Sequence, residues 1–272
     1  MKIAVCLYGL AGGEIDTDKG IQPVLLSDSF NNYQEVLFKG LDVDFFLHSW
    51  SEEHKDELLQ LYQPKKYLIE PQIDFSKYSL SDYSLEHINT YKKIFAEEED
   101  VKEYLSSTYI FNSHSRWCST FKTVGLMKEY ADQNNIFYDW VFQVRMDLFF
   151  REAFPFEILN PMKIYTCPRF TIDADITLND AWFLSNMDNA LKISTLYENI
   201  LDYSIWTHAA SRQHIDAFEG PLEFFPSQEL GIKNYWMMRS VVQEEMKHEL
   251  SLVSRFRESF KERLRAIRSK LT

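Results

Sequence analysis

Two side chains of opposite charge stand one residue apart in the apolar stretch WVFQVRMDLFF, residues 140–150. They are Arg145 and Asp147, and the apolar run before them predicts a buried strand of a parallel sheet. Residues i and i+2 of a strand share a face, so both groups would project together. At the carboxyl end of such a strand, the carboxylate can meet a metal–diphosphate or sugar hydroxyls, and the guanidinium can meet phosphate. The structural alternative is an internal ion pair.

Two further carboxylates are candidates for acid–base chemistry. Asp180 follows Asn179 in LNDAWFLS, where an apolar strand that ends near Ser185 begins. An Asn-Asp pair is also typical of a plain turn. Near the ligand edge of a sheet, however, Asp180 would bind an acceptor hydroxyl or act as a general base. Glu229 is predicted in the first turn of a helix that begins near Ser227.

The first apolar run, Ile3 to Tyr8, leads into the glycine-rich stretch GLAGGEID. Gly9, Gly12 and Gly13 would let backbone N–H groups approach a base or a phosphate. The spacing is not the G-x-G-x-x-G of a dinucleotide site, and the G-K-[ST] of a Walker A loop is missing. A strand that ends in a glycine loop is typical of the entry to many nucleotide-binding α/β domains.

His48 lies at the end of a predicted strand, in the apolar stretch FFLHSW. Histidines in such places are more often structural groups than ligands. The other histidines show no H-E-x-x-H or His/Cys metal spacing. The sequence also lacks the G-x-S-x-G of a hydrolase nucleophile elbow.

The order of the predicted elements indicates an α/β fold with a mostly parallel sheet. A polar helix follows Ser51, and a long helix runs from Ser113 to a stop at Asn134 and Asn135. Alternation of strand and helix implies parallel pairing. The predicted strands are Ile3–Tyr8, Val43–Trp50, residues 65–71, residues 140–150, Met162–Pro168 and a strand that ends near Ser185.

The composition is that of a globular chain with a sizeable core and an acidic surface. Hydrophobic residues make up 45% of the chain and the net charge is −12. Bulk nucleic-acid binding, which rests on neutralising phosphates, is therefore disfavoured. Three cysteines without metal spacing indicate a reducing compartment. The sequence shows neither a signal-peptide pattern nor 18 uninterrupted apolar residues, so a cytoplasmic protein is expected.

The carboxyl-terminal residues differ from the rest. From Lys247 onward, eight Lys or Arg stand against three Glu. We therefore divide the chain into a domain over residues 1–245 and a basic amphipathic helix over residues 246–272. Such a helix lies on an anionic membrane surface, or it docks on its own domain or on a second copy. One helical stripe is formed by Val253, Phe256, Phe260, Leu264, Ile267 and Leu271.

Five stretches, in this order, resemble bacterial glycosyltransferase-like proteins, often linked to capsule or lipopolysaccharide. They span about residues 1–237 and read KIAVCLYG, DVDFFLHSW, SRWCSTFKTVGLMKEY, YDWVFQVRMDLFF and NDAWFLSNMDNA. In this family, R-x-D occupies the place where nucleotide-sugar transferases of the GT-A fold carry D-x-D. The resemblance implies a GT-A-like (Rossmann-like) fold. It also implies transfer of a sugar from a nucleotide-sugar donor to a glycan or lipid-linked acceptor, at the inner face of the membrane if the basic helix binds there.

The resemblance also implies where the donor would bind. By position, Tyr8 and Gly9 lie near the base, with Gly12 in the same loop. Arg116 and Lys122, on the helix before the central strand, are further candidates to contact the diphosphate.

Arg145 replaces the first Asp of D-x-D, and Asp147 takes the place of the last carboxylate. With one carboxylate lost, Asp147 would hold Mn²⁺ or Mg²⁺ weakly or not at all. Arg145 would then supply part of the charge that stabilises the departing diphosphate. Asp180 is the expected base or acceptor contact, with Glu229 behind it. An inverting enzyme needs such a base and a retaining enzyme does not use it in the same way, and both outcomes stay open.

Two other functional classes fit the sequence. One is a sulfo- or phosphotransferase that acts on glycans with a nucleotide-activated donor. It would want Lys, Arg or Ser in a phosphate-cradling loop, where GLAGGEID has acids. The other is a catalytically inactive GT-A-like binding protein. This class stays an alternative because Arg145 stands in place of the first Asp of D-x-D.

Overall fold

The computed structural model describes residues 1–12, 14–17, 20–23, 25–84, 107–172, 175–225 and 229–231. The strands are β1 Lys2–Gly9, β2 Glu14–Thr17, β3 Gly20–Pro23, β4 Asp42–Ser49, β5 Lys66–Ile69, β6 Trp140–Arg145, β7 Leu148–Phe150, β8 Ile164–Ile172, β9 Asp175–Ser185, β10 Leu222–Phe224 and β11 Glu229–Gly231. The α-helices are α1 Leu26–Asn32, α2 Lys55–Tyr62, α3 Ser107–Asn134, α4 Met187–Ser194 and α5 Thr207–Ala217. A π-helix, Tyr33–Leu37, continues α1 directly.

Seven strands form the main sheet, in the order β10-β8-β9-β6-β1-β4-β5. β1 pairs in parallel with β4 on one side and with β6 on the other, and β4 pairs in parallel with β5. β9 is antiparallel to both β6 and β8, and β10 is parallel to β8. Two small antiparallel pairs, β2–β3 and β7–β11, lie outside this sheet. The predicted α/β fold with a mostly parallel sheet flanked by helices is confirmed.

The two faces of β1 pack against different helices. Ile3, Val5 and Leu7 belong to a cluster that contains residues of α1 and α2. Ala4 and Cys6 belong to a second cluster, with residues of α3 and α4. A strand that is covered on both faces is apolar at consecutive positions rather than at alternating ones. This explains why the first strand appears in the sequence as one continuous apolar run.

Phe142 of β6 lies at the centre of an aromatic cluster on the α1–α2 side. Its side chain is fully buried, and four other aromatic rings lie 5.4–6.1 Å from its own between centroids. The rings are tilted or edge-on, the arrangement that aromatic quadrupoles favour. The cluster joins β6 to β9 and to the chain that follows β7; its other members are Phe38, Phe150, Phe154 and Trp182.

Two predicted elements differ in the structure. The single strand predicted over residues 140–150 is two strands, because the chain turns at Met146 and Asp147. Met146 is itself buried, so the apolar pattern runs through the turn without a break. Glu229 was predicted in a helix and lies instead in β11, which pairs with β7, a partner distant in sequence.

The predicted helix over residues 246–272 and the domain boundary at residue 245 lie outside the described residues. Within the described part of the chain, no helix combines the length and the apolar character needed to cross a membrane.

The aromatic cluster predicts that Phe142→Ala lowers the free energy of unfolding by about 3–5 kcal/mol, because a large ring is removed from a filled core. Phe137→Ala is the control, since Phe137 is 71% exposed, and its effect should stay within about 0.5 kcal/mol. Urea unfolding measures both values. Equal values for the two variants would contradict the packing described.

Candidate functional site

The carboxyl ends of β1 and β6 lie side by side at the point where the order of the strands along the chain reverses. From β1 the chain leads to β4 and β5 on one side, and then returns through α3 to β6 on the other side. Tyr8 and Arg145 are register partners across these two strands. Ligands of open α/β sheets bind at such a switch point, beyond the carboxyl ends of the strands. The structure therefore brings together Tyr8, Gly9, Arg145 and Asp147, four of the predicted site residues.

Arg145 and Asp147 are bonded to each other. The guanidinium Nε donates to Oδ1 of Asp147 at 2.8 Å, and Nη2 donates to Oδ2. Asp147 belongs to the turn and not to β6, so the contact arises from the turn and not from a shared strand face. Burial lowers the pKa of Arg145, but the Asp147 carboxylate outweighs burial and leaves this pKa above its usual value. The two side chains are 47% and 32% exposed, which leaves the pair open to a ligand.

A register shift in β9 places the backbone of Asp180 beside the Tyr8 side chain of β1. Tyr165 pairs with Leu184 and Cys167 with Asn179, so two steps along β8 correspond to five along β9. The extra residues form a bulge that frees backbone carbonyl groups from the ladder. The carbonyl of Asp180 accepts from Arg116, and the Tyr8 hydroxyl lies 3.1 Å from this carbonyl and 2.9 Å from that of Ala181.

The Asp180 carboxylate is buried among three partners. Arg116 Nε lies 3.3 Å from Oδ2 and His208 Nδ1 lies 3.0 Å from Oδ1. The Thr207 hydroxyl donates to Oδ2 at 2.7 Å. Burial raises the pKa of Asp180, but Arg116, His208 and Thr207 together hold it well below its usual range. An ion held in this way is a weak proton acceptor, which argues against Asp180 as the general base.

Both ion pairs act on Tyr8. The pKa of the Tyr8 hydroxyl is raised to about 12, chiefly by burial; within this net shift Arg116 and Arg145 lower the pKa, whereas Asp180 and Asp147 raise it. The Arg116 guanidinium lies 5.3 Å from the centre of the Tyr8 ring, and its Nη2 lies 3.1 Å from the hydroxyl. Tyr8 therefore stays neutral at the centre of two arginine–aspartate pairs.

Arg116 keeps donor capacity that the protein does not use. Its Nη1 is buried and has no hydrogen-bond partner among the described residues. One face of the guanidinium packs on Trp117, with 3.6 Å from its carbon to the ring centre. A buried donor without a partner is costly, so Nη1 is a candidate contact for a ligand oxygen.

Lys122 lies in a separate group of polar residues. Its ammonium group pairs with Glu70 and lies over the Trp50 ring. As a diphosphate contact, Lys122 was expected to lie near Arg145. Glu70 also contacts Nε2 of His48 at 3.2 Å, and Nδ1 of His48 lies 2.7 Å from the Ser119 hydroxyl. In the structure, Lys122 therefore stabilises the end of β5.

Ser119, from this group, and Ser51 hold the start of the glycine loop. The N–H of Gly9 donates to Ser119 Oγ at 2.9 Å, and the N–H of Ala11 donates to Ser51 Oγ at 2.9 Å. Gly9 and Gly12 have positive φ values of 108° and 76°. At Gly12 this φ strains any residue with a side chain, and a Cβ there would also lie 2.0 Å from Nε2 of His54, whose ring would have to move. The loop is thus held beside the switch point as far as Gly12, and Gly13 lies outside the described residues.

Glu229 lies near the turn through its backbone. β11 pairs with β7, and Glu229 is the register partner of Phe150, three residues beyond Asp147. The position of its side chain lies outside what the structure describes.

The residues around Asp147 do not fit a divalent metal. Both carboxylate oxygens accept hydrogen bonds from Arg145. Within the part of the chain that the structure describes, no cluster of three or more His, Cys, Asp or Glu side chains could hold a metal ion. Hard cations prefer several oxygen ligands at one place, so we assign no metal to Asp147.

Thr207 and His208 are contacts of Asp180 that the sequence did not predict. They begin α5, and nothing in the stretch WTHAAS distinguishes them from an ordinary helix start. The two residues are recognised as contacts of Asp180 only in the folded structure, where the start of α5 packs against β9.

His48 predicts a pH dependence of stability. Burial lowers its pKa from the usual 6.5 to about 4, so between these values the unfolded chain binds a proton that the folded chain does not. Stability should therefore fall as the pH drops from 6.5 to 4, by roughly 2–3 kcal/mol from this residue. His48→Gln should lose less stability than the wild type between pH 7 and pH 4.5 in urea unfolding.

The control is His54→Gln, because His54 is 30% exposed and should follow the wild type. His114 provides an independent second test, since burial also lowers its pKa to about 4. If both His48→Gln and His114→Gln keep the wild-type pH slope, the prediction is wrong.

Comparison of the sequence with models of protein families and with curated proteins gives no match.

Proposed function

We propose that this chain is a glycosyltransferase that moves a sugar from a nucleotide-sugar donor to a surface-glycan acceptor, such as capsule, lipopolysaccharide or another lipid-linked glycan. One observation carries the proposal. Arg116 and Arg145, each with one carboxylate, flank Tyr8 at the switch point of a mostly parallel sheet. Two guanidinium groups beside a glycine loop offer hydrogen-bond donors to an anionic nucleotide, and the R-x-D motif supplies one of them.

The two arginines would bind the donor diphosphate. Guanidinium groups bind phosphate oxygens with paired hydrogen bonds, and they stabilise charge that develops on a leaving group. The exposed Arg145 would approach from the turn, and the unused Nη1 of Arg116 would approach from α3. In this proposal the diphosphate is held without Mn²⁺ or Mg²⁺, and Tyr8 and Gly9 lie beside the base.

The role of the base passes from Asp180 to Glu229. Asp180 is committed to Arg116, His208 and Thr207, which makes it a positioning residue for Arg116. The backbone of Glu229 pairs with β7, and β7 is the strand that directly follows the turn carrying Asp147. An inverting reaction would use Glu229 to deprotonate the acceptor hydroxyl.

The nature of the acceptor follows from the resemblance to surface-glycan enzymes. The basic residues of 246–272 suit contact with anionic lipid, which would bring the enzyme to the inner face of the membrane, where lipid-linked acceptors are found. The net charge of −12 argues against nucleic acid as a partner.

A second candidate function is nucleotide or glycan binding without catalysis. Both described carboxylates of the site, Asp147 and Asp180, are held in ion pairs, and neither is placed as a free base. This observation favours an inactive binding protein if Glu229 proves dispensable.

A thermal-shift screen tests donor binding. We expect at least one UDP-, GDP-, CMP- or dTDP-sugar to raise the Tm, with the same shift in EDTA and in Mn²⁺, because arginines replace the metal. At 100 times Kd, a ligand adds about 2.7 kcal/mol to stability. No shift with any donor would contradict the transferase proposal, and a shift that requires Mn²⁺ would contradict the arginine site.

Three conservative variants separate the roles of the carboxylates once a donor is known. Asp147→Asn should abolish transfer in a folded protein, because Arg145 loses its charged partner. Glu229→Gln should lower kcat by about 10²–10⁴-fold with donor affinity kept. Asp180→Asn should chiefly lower the Tm and the donor affinity. Full activity in Asp147→Asn would disprove its assignment, and a kcat loss confined to Asp180→Asn would return the base role to Asp180.

A further inference from the structure

The turn that joins β6 to β7 is held by hydrogen bonds from two side chains at the end of α1 and the start of the π-helix. Arg145, the last residue of β6, and Asp147, in the turn, are 47% and 32% exposed and are bonded to each other. An exposed ion pair alone is a weak constraint. The orientation of both side chains is therefore set mainly by the backbone of the turn.

Asn32 holds the far side of the turn. Its side-chain Oδ1 accepts from the N–H of Phe150 at 2.7 Å, and its Nδ2 donates to the carbonyl of Phe150 at 3.0 Å. One amide therefore satisfies both backbone groups of the last residue of β7, on an edge where no strand pairs with it in the described sheets. The contact fixes β7 to the end of α1.

Tyr33 holds the near side of the turn. Its hydroxyl donates to the carbonyl of Arg145, and a backbone hydrogen bond from Leu148 acts on the same hydroxyl. The side chain is fully buried, and burial raises its pKa well above the usual value, so the hydroxyl remains a donor. Tyr33 thus spans the two residues of the turn, from Arg145 to Leu148.

Asn32 and Tyr33 are sequence neighbours at the junction of α1 and the π-helix, and they contact opposite ends of the turn. Asn32 is the last residue of α1 and Tyr33 the first of the π-helix, where the N–H of Phe38 donates to the carbonyl of Tyr33 at 2.9 Å. π-Helical turns are rare, and they occur frequently at functional sites. Here the wider turn lies directly against the segment that carries the R-x-D motif.

We propose that Asn32 and Tyr33 are positioning residues, which hold the β6–β7 turn so that Arg145 and Asp147 keep one geometry toward the donor. The effect on donor binding rests on the proposed function. The effect on the geometry of the Arg145–Asp147 pair is independent of the proposed function, and it can be measured in the protein without ligand.

The first measurement is the Nε–H signal of the Arg145 side chain in ¹⁵N-labelled full-length protein. In the wild type, the pair with Asp147 should slow the exchange of this proton with water. Tyr33→Phe, which removes only the hydroxyl, should broaden the signal or raise its exchange rate about five- to tenfold, as expected for the loss of one buried hydrogen bond. The matched control is Tyr138→Phe, since Tyr138 is also buried and donates to Asp44 at 2.8 Å.

A second pair of variants covers the case in which Tyr33→Phe does not fold. Asn32→Ala removes both contacts to Phe150 at a half-buried position, and Asn31→Ala is its exposed neighbour in α1. Asn32→Ala should change the Arg145 signal, and Asn31→Ala should not.

The second measurement is the affinity for UDP, GDP and dTDP in EDTA, by calorimetry. Tyr33→Phe and Asn32→Ala should weaken the binding of whichever nucleotide the wild type binds, by about five- to tenfold, and both controls should retain it. An unchanged Arg145 signal together with unchanged affinity in both variants would overturn the proposal. If the wild type binds no nucleotide, the proposed function fails, and the Arg145 signal alone decides whether Asn32 and Tyr33 position the pair.

Discussion

The site depends on the buried ion pair between Arg116 and Asp180. Removing two ions from water costs several kcal/mol each, and their attraction repays this only when further hydrogen bonds satisfy both groups. Asp180 meets this condition through Thr207 and His208. Arg116 meets it in part, since Nη2 contacts Tyr8 and the Asp180 carbonyl whereas Nη1 has no partner among the described residues. These contacts join β1, α3, β9 and the start of α5, so loss of one partner would disturb four elements at once.

The second arginine–aspartate pair has the opposite physical character. Arg145 and Asp147 face solvent, and an exposed pair of this kind contributes about 0–1 kcal/mol. A diphosphate can therefore contact the exposed guanidinium of Arg145 at small cost while Asp147 remains paired with it, whereas it cannot separate Arg116 from Asp180. In this account the buried pair is the scaffold and the exposed pair is the part that responds to the donor.

Parts of the site were predictable because they follow from local rules. The apolar runs identified β1 and β6 as strands of a parallel sheet with a ligand edge at their carboxyl ends. The structure adds that Tyr8 and Arg145 are register partners at that edge. The turn at Asp147 was missed because the buried Met146 continues the apolar pattern. The partners of Asp180 could not be predicted, because they require a bulge in β9 and a helix start 27 residues later. Glu229 was placed in a helix because the pairing of β11 with β7 leaves no local signal in the sequence.

The most direct test is a crystal structure of the chain with UDP, GDP or dTDP. The account predicts diphosphate oxygens within hydrogen-bond distance of Arg145 and of Nη1 of Arg116, Arg116 still paired with Asp180, and the base beside Tyr8 and Gly9. A nucleotide bound elsewhere, or a diphosphate held by a metal ion on Asp147, would contradict it.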